Sequence, residues 1–140
     1  MSGQFKSGDW SQLSQDAKSI RQQVFIEEQQ IPASEEWDEL DASSIHFVIY
    51  IDSYAIATAR LTDDHRIGRV AVLKEYRGTG LGFKLMQQII EFAQQQQRPF
   101  LILSAQCYAT AFYEKLGFVS EGRSYLDCGI PHIQMQMHFA

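Results

Sequence analysis

The stretch Arg77-Gly78-Thr79-Gly80-Leu81-Gly82 constrains this chain more than any other. It joins the apolar run Arg69–Leu73 to an amphipathic segment beginning near Thr79. A glycine-rich turn between a strand and a helix leaves several backbone N–H groups free at the helix N-terminus. Their partial positive charge suits a phosphate or pyrophosphate. A Cβ at 78, 80 or 82 would hold such a ligand away from the main chain. The spacing therefore predicts a site for a phosphorylated small molecule.

The flanking segments place that turn mid-chain in a mixed α/β domain covering 1–140. Residues 1–10 read as an edge strand or a loose terminus. Ala17, Ile20, Val24 and Phe25 recur at helical spacing within Ser14–Gln30, and Pro32 stops that helix. An acidic stretch, 33–44, follows as loop or irregular helix. Ile45–Ile51 and Ala55–Leu61 read as strands joined by a tight turn at Asp52-Ser53. Ile67–Leu73 is a third strand, after a turn at Asp63-Asp64-His65. Leu81, Leu85, Met86, Ile89, Ile90 and Ala93 then line one side of a helix from Thr79 to Gln96. Phe100–Ser104 reads as a buried strand and Ala109–Leu116 as a short helix ended by Gly117. Phe118-Val119 and Tyr125-Leu126 suggest another strand, and Gly129-Ile130-Pro131 a turn. Ile133, Met135, Met137 and Phe139 alternate along the last strand, where they would suit edge pairing in a homodimer.

At 140 residues the chain is long enough for one core burying about two-thirds of its unfolded surface. No apolar run approaches the roughly 20 residues that span a bilayer, and the start lacks a signal-peptide core, so a cytoplasmic protein is expected. Cys107 and Cys128 have neither CxxC spacing nor histidine-rich surroundings, so no metal and no obligatory disulfide are expected. Net charge is −5, and the acids concentrate at Glu27, Glu28, Glu35, Glu36, Asp38, Glu39 and Asp41 without an intervening Lys or Arg. Without a dense basic stripe, nucleic acid is not an expected partner. The acidic segment reads as a solvated loop rim, or else as a field that draws in a cationic substrate.

A P-loop needs GxxxxGK[ST], which residues 77–84 lack. A dinucleotide fold carries its glycines near the first strand, not after several antiparallel ones. The order helix, hairpin strands, glycine turn, helix and strand, then Ala111-Phe112-Tyr113-Glu114-Lys115-Leu116-Gly117-Phe118, closely resembles the GNAT superfamily of N-acetyltransferases. Residues 77–82 match its [QR]-x-x-G-x-[GA] loop, and 111–118 match the signature of its later helix. Arg21-x-x-Val24-Phe25-x-x-Glu28-Gln29, Ser104-Ala105-Gln106 and Gly129-Ile130-Pro131-His132 resemble the small bacterial ElaA/YjcF-type branch.

That resemblance implies an α/β (α+β) GNAT fold, with a mostly antiparallel twisted sheet of about six to seven strands flanked by helices. It implies acetyl-CoA as co-substrate and a primary amine of a small molecule or peptide as acceptor. Val70, Ala71 and Val72 would offer backbone to the pantetheine arm. Arg77, Gly78, Thr79, Gly80, Leu81 and Gly82 would cradle the pyrophosphate. Gln106 stands where many relatives place a cofactor-contacting Asn. Tyr113 resembles the tyrosine that protonates the departing thiolate; a phenol near pKa 10 is protonated at neutral pH. Its alternative is an aromatic packed beside Phe112 and Leu116.

Some relatives carry a basic Glu on the strand before the second helix, but Phe100-Leu101-Ile102-Leu103 has no acid. Glu28 on the first helix and His132 near the last strand are the substitutes, each with an ordinary surface or structural alternative. His46, on an apolar strand, reads as a core or cleft-wall residue. Arg21 reads as an ion-pair partner of Glu28, or else as a holder of a substrate carboxylate. Two other functions stay open: an acyl-CoA-binding sensor without transfer activity, and an acyl-homoserine-lactone synthase-like enzyme.

Overall fold

The computed structural model describes residues 3–139. The seven strands are β1 (Gln4–Gly8), β2 (Ile45–Ile51), β3 (Tyr54–Leu61), β4 (Arg66–Val72), β5 (Phe100–Gln106), β6 (Val119–Asp127) and β7 (Ile130–His138). They form one sheet in the order β1-β2-β3-β4-β5-β7-β6. Only β4 and β5 pair in parallel, which requires the crossover helix between them.

Helix α1 (Trp10–Arg21) opens on a capping box, in which Asp9 accepts from the Gln12 N–H and Gln12 returns a bond to Asp9. It widens into π-helical turns over Gln22–Glu28, so the helix expected to run from Ser14 to Gln30 starts earlier and is wound in two ways. Pro32 starts the one-turn helix α2 (Ala33–Glu36), and a 3-10 turn covers Glu39–Ser43. Helix α3 spans Leu81–Gln95, and α4 spans Thr110–Leu116.

The sheet is covered on both faces, which explains the near-continuous apolar run of β2. Phe47, Ile49 and Ile51 join Leu85, Met86, Ile89 and Leu101 in a core under α3. Val48 joins Leu13, Ile20, Val24, Phe25 and Ala71 under α1. The Asp52-Ser53 turn places both residues in the left-handed region, φ 50° and 70°, as a tight hairpin requires.

Two expectations about the C-terminal hairpin are corrected. Its turn is Cys128-Gly129, with φ of 51° and 78°, while Ile130 and Pro131 already belong to β7. Positive φ at successive residues defines this turn, and Pro131 suits the first positions of a strand. Strand β7 is also not an edge: it lies between β5 and β6, and Met135 is fully buried. The edge is β6, so Ile133, Met135 and Met137 of β7, with Phe139 just after it, serve the core and provide no basis for edge pairing.

Candidate active site

Strands β4 and β5 are joined by only two residue pairs, Arg66 with Ile102 and Ile67 with Leu103. Beyond them the strands part around a cleft of about 480 Å³. The cause lies in β4. Its register with β3 slips by one residue between Ala71 and Gly68, and Arg69 takes up the extra length at φ 53°. The Leu73 N–H bonds to the Ile56 carbonyl. Alternation then turns the Ala71 main-chain groups toward β3 and those of Val72 toward the gap. Val70 lines the cleft itself, whereas the Ala71 side chain is buried under α1.

Just past the C-terminal end of β4 lies the glycine turn. Gly78 and Gly80 have φ of 77° and 84°, with nothing within 4 Å of where a Cβ would stand. Glycine is needed there for backbone conformation. Gly82 differs: a Cβ would lie 3.4 Å from Val72 Cγ2, so its small size lets α3 pack close to β4. No side chain caps α3, which leaves its first N–H groups available to an anion.

Arg77 closes this end from the side. Its Nε donates to the Val72 carbonyl at 2.9 Å, and its two terminal nitrogens donate to the Glu28 carboxylate at 2.5 and 2.8 Å. Arg77 holds the Glu28 carboxyl below the usual carboxylate range. The π-helical turns therefore deliver Glu28 to the loop arginine. Arg21, the partner expected for Glu28 from sequence, lies elsewhere.

Tyr113, Gln106 and His132 all line the cleft. Tyr113 sits on α4 with its ring edge-on to Phe112 and Phe118. Burial pushes its phenol up to about 12, with a smaller contribution from Tyr108, so it is protonated throughout the neutral range. Gln106 Nε2 donates to Gln29 Oε1 at 3.2 Å, bridging β5 to the end of the π turns. His132 is the register partner of both Gln106 and Tyr125. Its Nδ1 lies 2.7 Å from the Ile130 carbonyl, an acceptor, so Nδ1 carries the proton and Nε2 keeps the lone pair in the neutral ring.

The opposite end is lined by charges, and here the solvated-rim expectation is corrected for Glu36 and Asp41, which are buried, while Glu27, Glu28, Glu35, Asp38 and Glu39 stay exposed. Arg21 is 1% exposed and binds Glu36 at 2.7 Å and Asp41 at 2.8 Å. Arg60 binds Asp38 at 2.7 Å and Asp41 at 3.0 Å. Arg69 reaches Glu36 and Asp38. Hydrogen bonds from Arg60 hold the Asp38 carboxyl below its usual range. Burial demands this pairing, since an isolated ion would forfeit its hydration. The guanidinium of Arg21 also lies 5.6 Å from the Trp10 ring centre and 5.1 Å from that of Trp37. His46 is buried in the same region, with Nε2 2.9 Å from the Asp41 carbonyl, and does not line the cleft. Its pKa is lowered by burial.

Arg60, Arg66 and Arg69, which line this end, were not singled out from sequence. The available signal was arginine inside apolar β-runs opposite an acidic stretch without cations. Among the described residues no three His, Cys, Asp or Glu side chains gather as a metal site requires, and no helix is long and apolar enough to cross a membrane.

Residues 12–139 match the acetyltransferase (GNAT) domain. The chain belongs to the GNAT acetyltransferase family. Over 124 residues it is 38% identical to the uncharacterized N-acetyltransferase YjcF of Bacillus subtilis, covering 86% of this chain and 89% of that protein. Its fold matches the crystal structure of an acyl-CoA N-acyltransferase from Pseudomonas aeruginosa with a TM-score of 0.88 and 31% identity. That match covers 96% of this chain and 99% of the other. Escherichia coli ElaA matches with a TM-score of 0.87 and 26% identity, covering 95% and 98%. The GNAT family transfers acyl groups from acyl-CoA, and the mixed sheet with its flanking helices is the GNAT fold.

Proposed function

We propose that this GNAT protein is a single-domain cytoplasmic enzyme that transfers an acetyl group from acetyl-CoA to a primary amine of a small molecule or peptide. The observation that carries the reading is the split between β4 and β5. Tyr113 lines the cleft at that split, the main-chain groups of Val72 turn away from β3, and the uncapped N-terminus of α3 follows Arg77, which is tied to the Val72 carbonyl. Backbone N–H groups of residues 78–82 would hold the pyrophosphate, and the edges of Val70 and Val72 would accompany the pantetheine arm. Gln106 would stand beside the donor, opposite His132.

The chemistry is direct attack. The lone pair of the neutral amine forms the new C–N bond at the thioester carbonyl carbon, and the Val72 N–H steadies the charge on the carbonyl oxygen. The C–S bond then breaks, and the sulfur takes the phenolic proton of Tyr113. His132 Nε2 accepts the proton lost by the amine. Glu28, tied down by Arg77, is better suited to holding the loop arginine than to serving as the base.

Acetyl-CoA should raise the melting temperature, because selective binding stabilises the native state by about 2.7 kcal/mol at a hundred times Kd. Thiol release should then rise when amines are added. Absence of any thermal shift would refute the donor assignment. A shift without amine-dependent release would leave an acyl-CoA sensor.

A further inference from the structure

We infer that the acceptor amine also carries a carboxylate, received over Gly68 by Arg60 and Arg66. This rests on the transfer reading above and specifies its acceptor class.

Arg60 is 5% exposed, yet its Nε is the one buried side-chain polar atom without a hydrogen-bond partner among the described residues. Its terminal nitrogens are committed to Asp38 and Asp41. A buried N–H left unpaired is costly, and a carboxylate oxygen is the acceptor that best repays it. Gly68 faces Arg60 across the β3–β4 pair, and a Cβ built on it would stand 4.0 Å from that Nε. Its φ lies outside the left-handed region, so the backbone there does not demand glycine. The missing side chain leaves the cleft wall at Gly68 free of any atom within 4 Å except that buried Nε.

Arg66 lies two residues before Gly68, on the same face of β4, and lines the same cleft. It is half-buried and forms no ion pair among the described residues. Arg69, by contrast, is already neutralised by Glu36 and Asp38. The wall thus offers one uncommitted guanidinium and one uncommitted buried N–H. Glu35 and Asp127 are exposed at the rim and suit the ammonium form of the arriving amine. An amine bearing a carboxylate satisfies both sets, and a polyamine satisfies only the rim.

The test uses matched pairs differing by the carboxylate: glycine and methylamine, γ-aminobutyrate and propylamine, L-phenylalanine and phenethylamine. With CoA bound, titration is followed through the ¹⁵N–¹H signal of Arg60 Nε. The carboxylated members should shift it and their partners should not. In turnover with acetyl-CoA, a carboxylated member should exceed its partner in kcat/KM by about tenfold or more. Arg66→Gln and Gly68→Val should each collapse that ratio through KM while leaving acetyl-CoA affinity unchanged. Turnover of amines without carboxylate preference would overturn this inference and keep the transferase. An Arg60 signal indifferent to every carboxylate would overturn it even if no amine reacted. A carboxylate-specific shift without turnover of any amine would keep the inference and sink the transfer reading.

Discussion

At the glycine-turn end of the cleft the groups offered to a ligand are main-chain amides, held by left-handed glycines and an uncapped helix. At the opposite end they are side chains, held by a lattice of Arg21, Arg60 and Arg69 with Glu36, Asp38 and Asp41, buried at Arg21, Arg60, Glu36 and Asp41. The first end is a local product of a few consecutive residues. The second requires residues from α1, α2, β3 and β4 to arrive together. An end made of backbone can be shared across a family that uses one donor. An end made of side chains can change with the acceptor.

Four substitutions and one pH series would sharpen or break this contrast. Tyr113→Phe, placed between the two ends, should slow transfer by about 10² to 10⁴ while leaving the acetyl-CoA Kd nearly unchanged. Equal losses in binding and rate would assign Tyr113 to packing. Arg21→Gln removes the buried cation that Glu36 and Asp41 share, leaving them only Arg69 and Arg60, and should cost about 3 kcal/mol in urea unfolding. A loss below about 1 kcal/mol would place the lattice in the class of surface ion pairs.

Gly80→Ala puts a Cβ on a residue at φ 84° and should cost about 1–2 kcal/mol. It should also weaken acetyl-CoA binding, whereas Gly68→Ala should leave that binding intact. The smallest effect concerns the buried phenol of Tyr113, pushed up to about 12. Since the folded value exceeds the unfolded value near 10, its contribution is complete below pH 10 and is lost as pH rises toward 12. Wild-type stability should therefore fall over that window more steeply than that of Tyr113→Phe.

The same contrast explains what could be read from the sequence. Residues 77–82 reveal their use because glycine spacing is a local signal, and the strand before them and the helix after them fall close to where periodicity places them. The β2–β3 hairpin is equally plain, since Asp52-Ser53 separates two apolar runs. The family resemblance implies backbone offered by Val70, Ala71 and Val72, but the bulge at Arg69 where β4 parts from β5 has no signature in a run of apolar residues. Arg21 pairs otherwise than its sequence neighbours suggest because Glu28 lies two helical turns away in sequence, while Glu36 and Asp41 arrive only after the chain reverses at Pro32. The acidic stretch looks like a rim until Arg60 and Arg69 are folded against it. Likewise, the Met residues of β7 suggested an edge only while the position of β6 was unknown.

The proposed donor end of the cleft consists of main-chain amides between the parted strands. Titrating acetyl-CoA into ¹⁵N-labelled protein tests it directly. The amide signals of Val72 and residues 78–82 should shift together and saturate with one equivalent, with smaller changes at Gln106. Saturating shifts confined to Trp10, Trp37 and Arg21, with residues 78–82 unmoved, would contradict it.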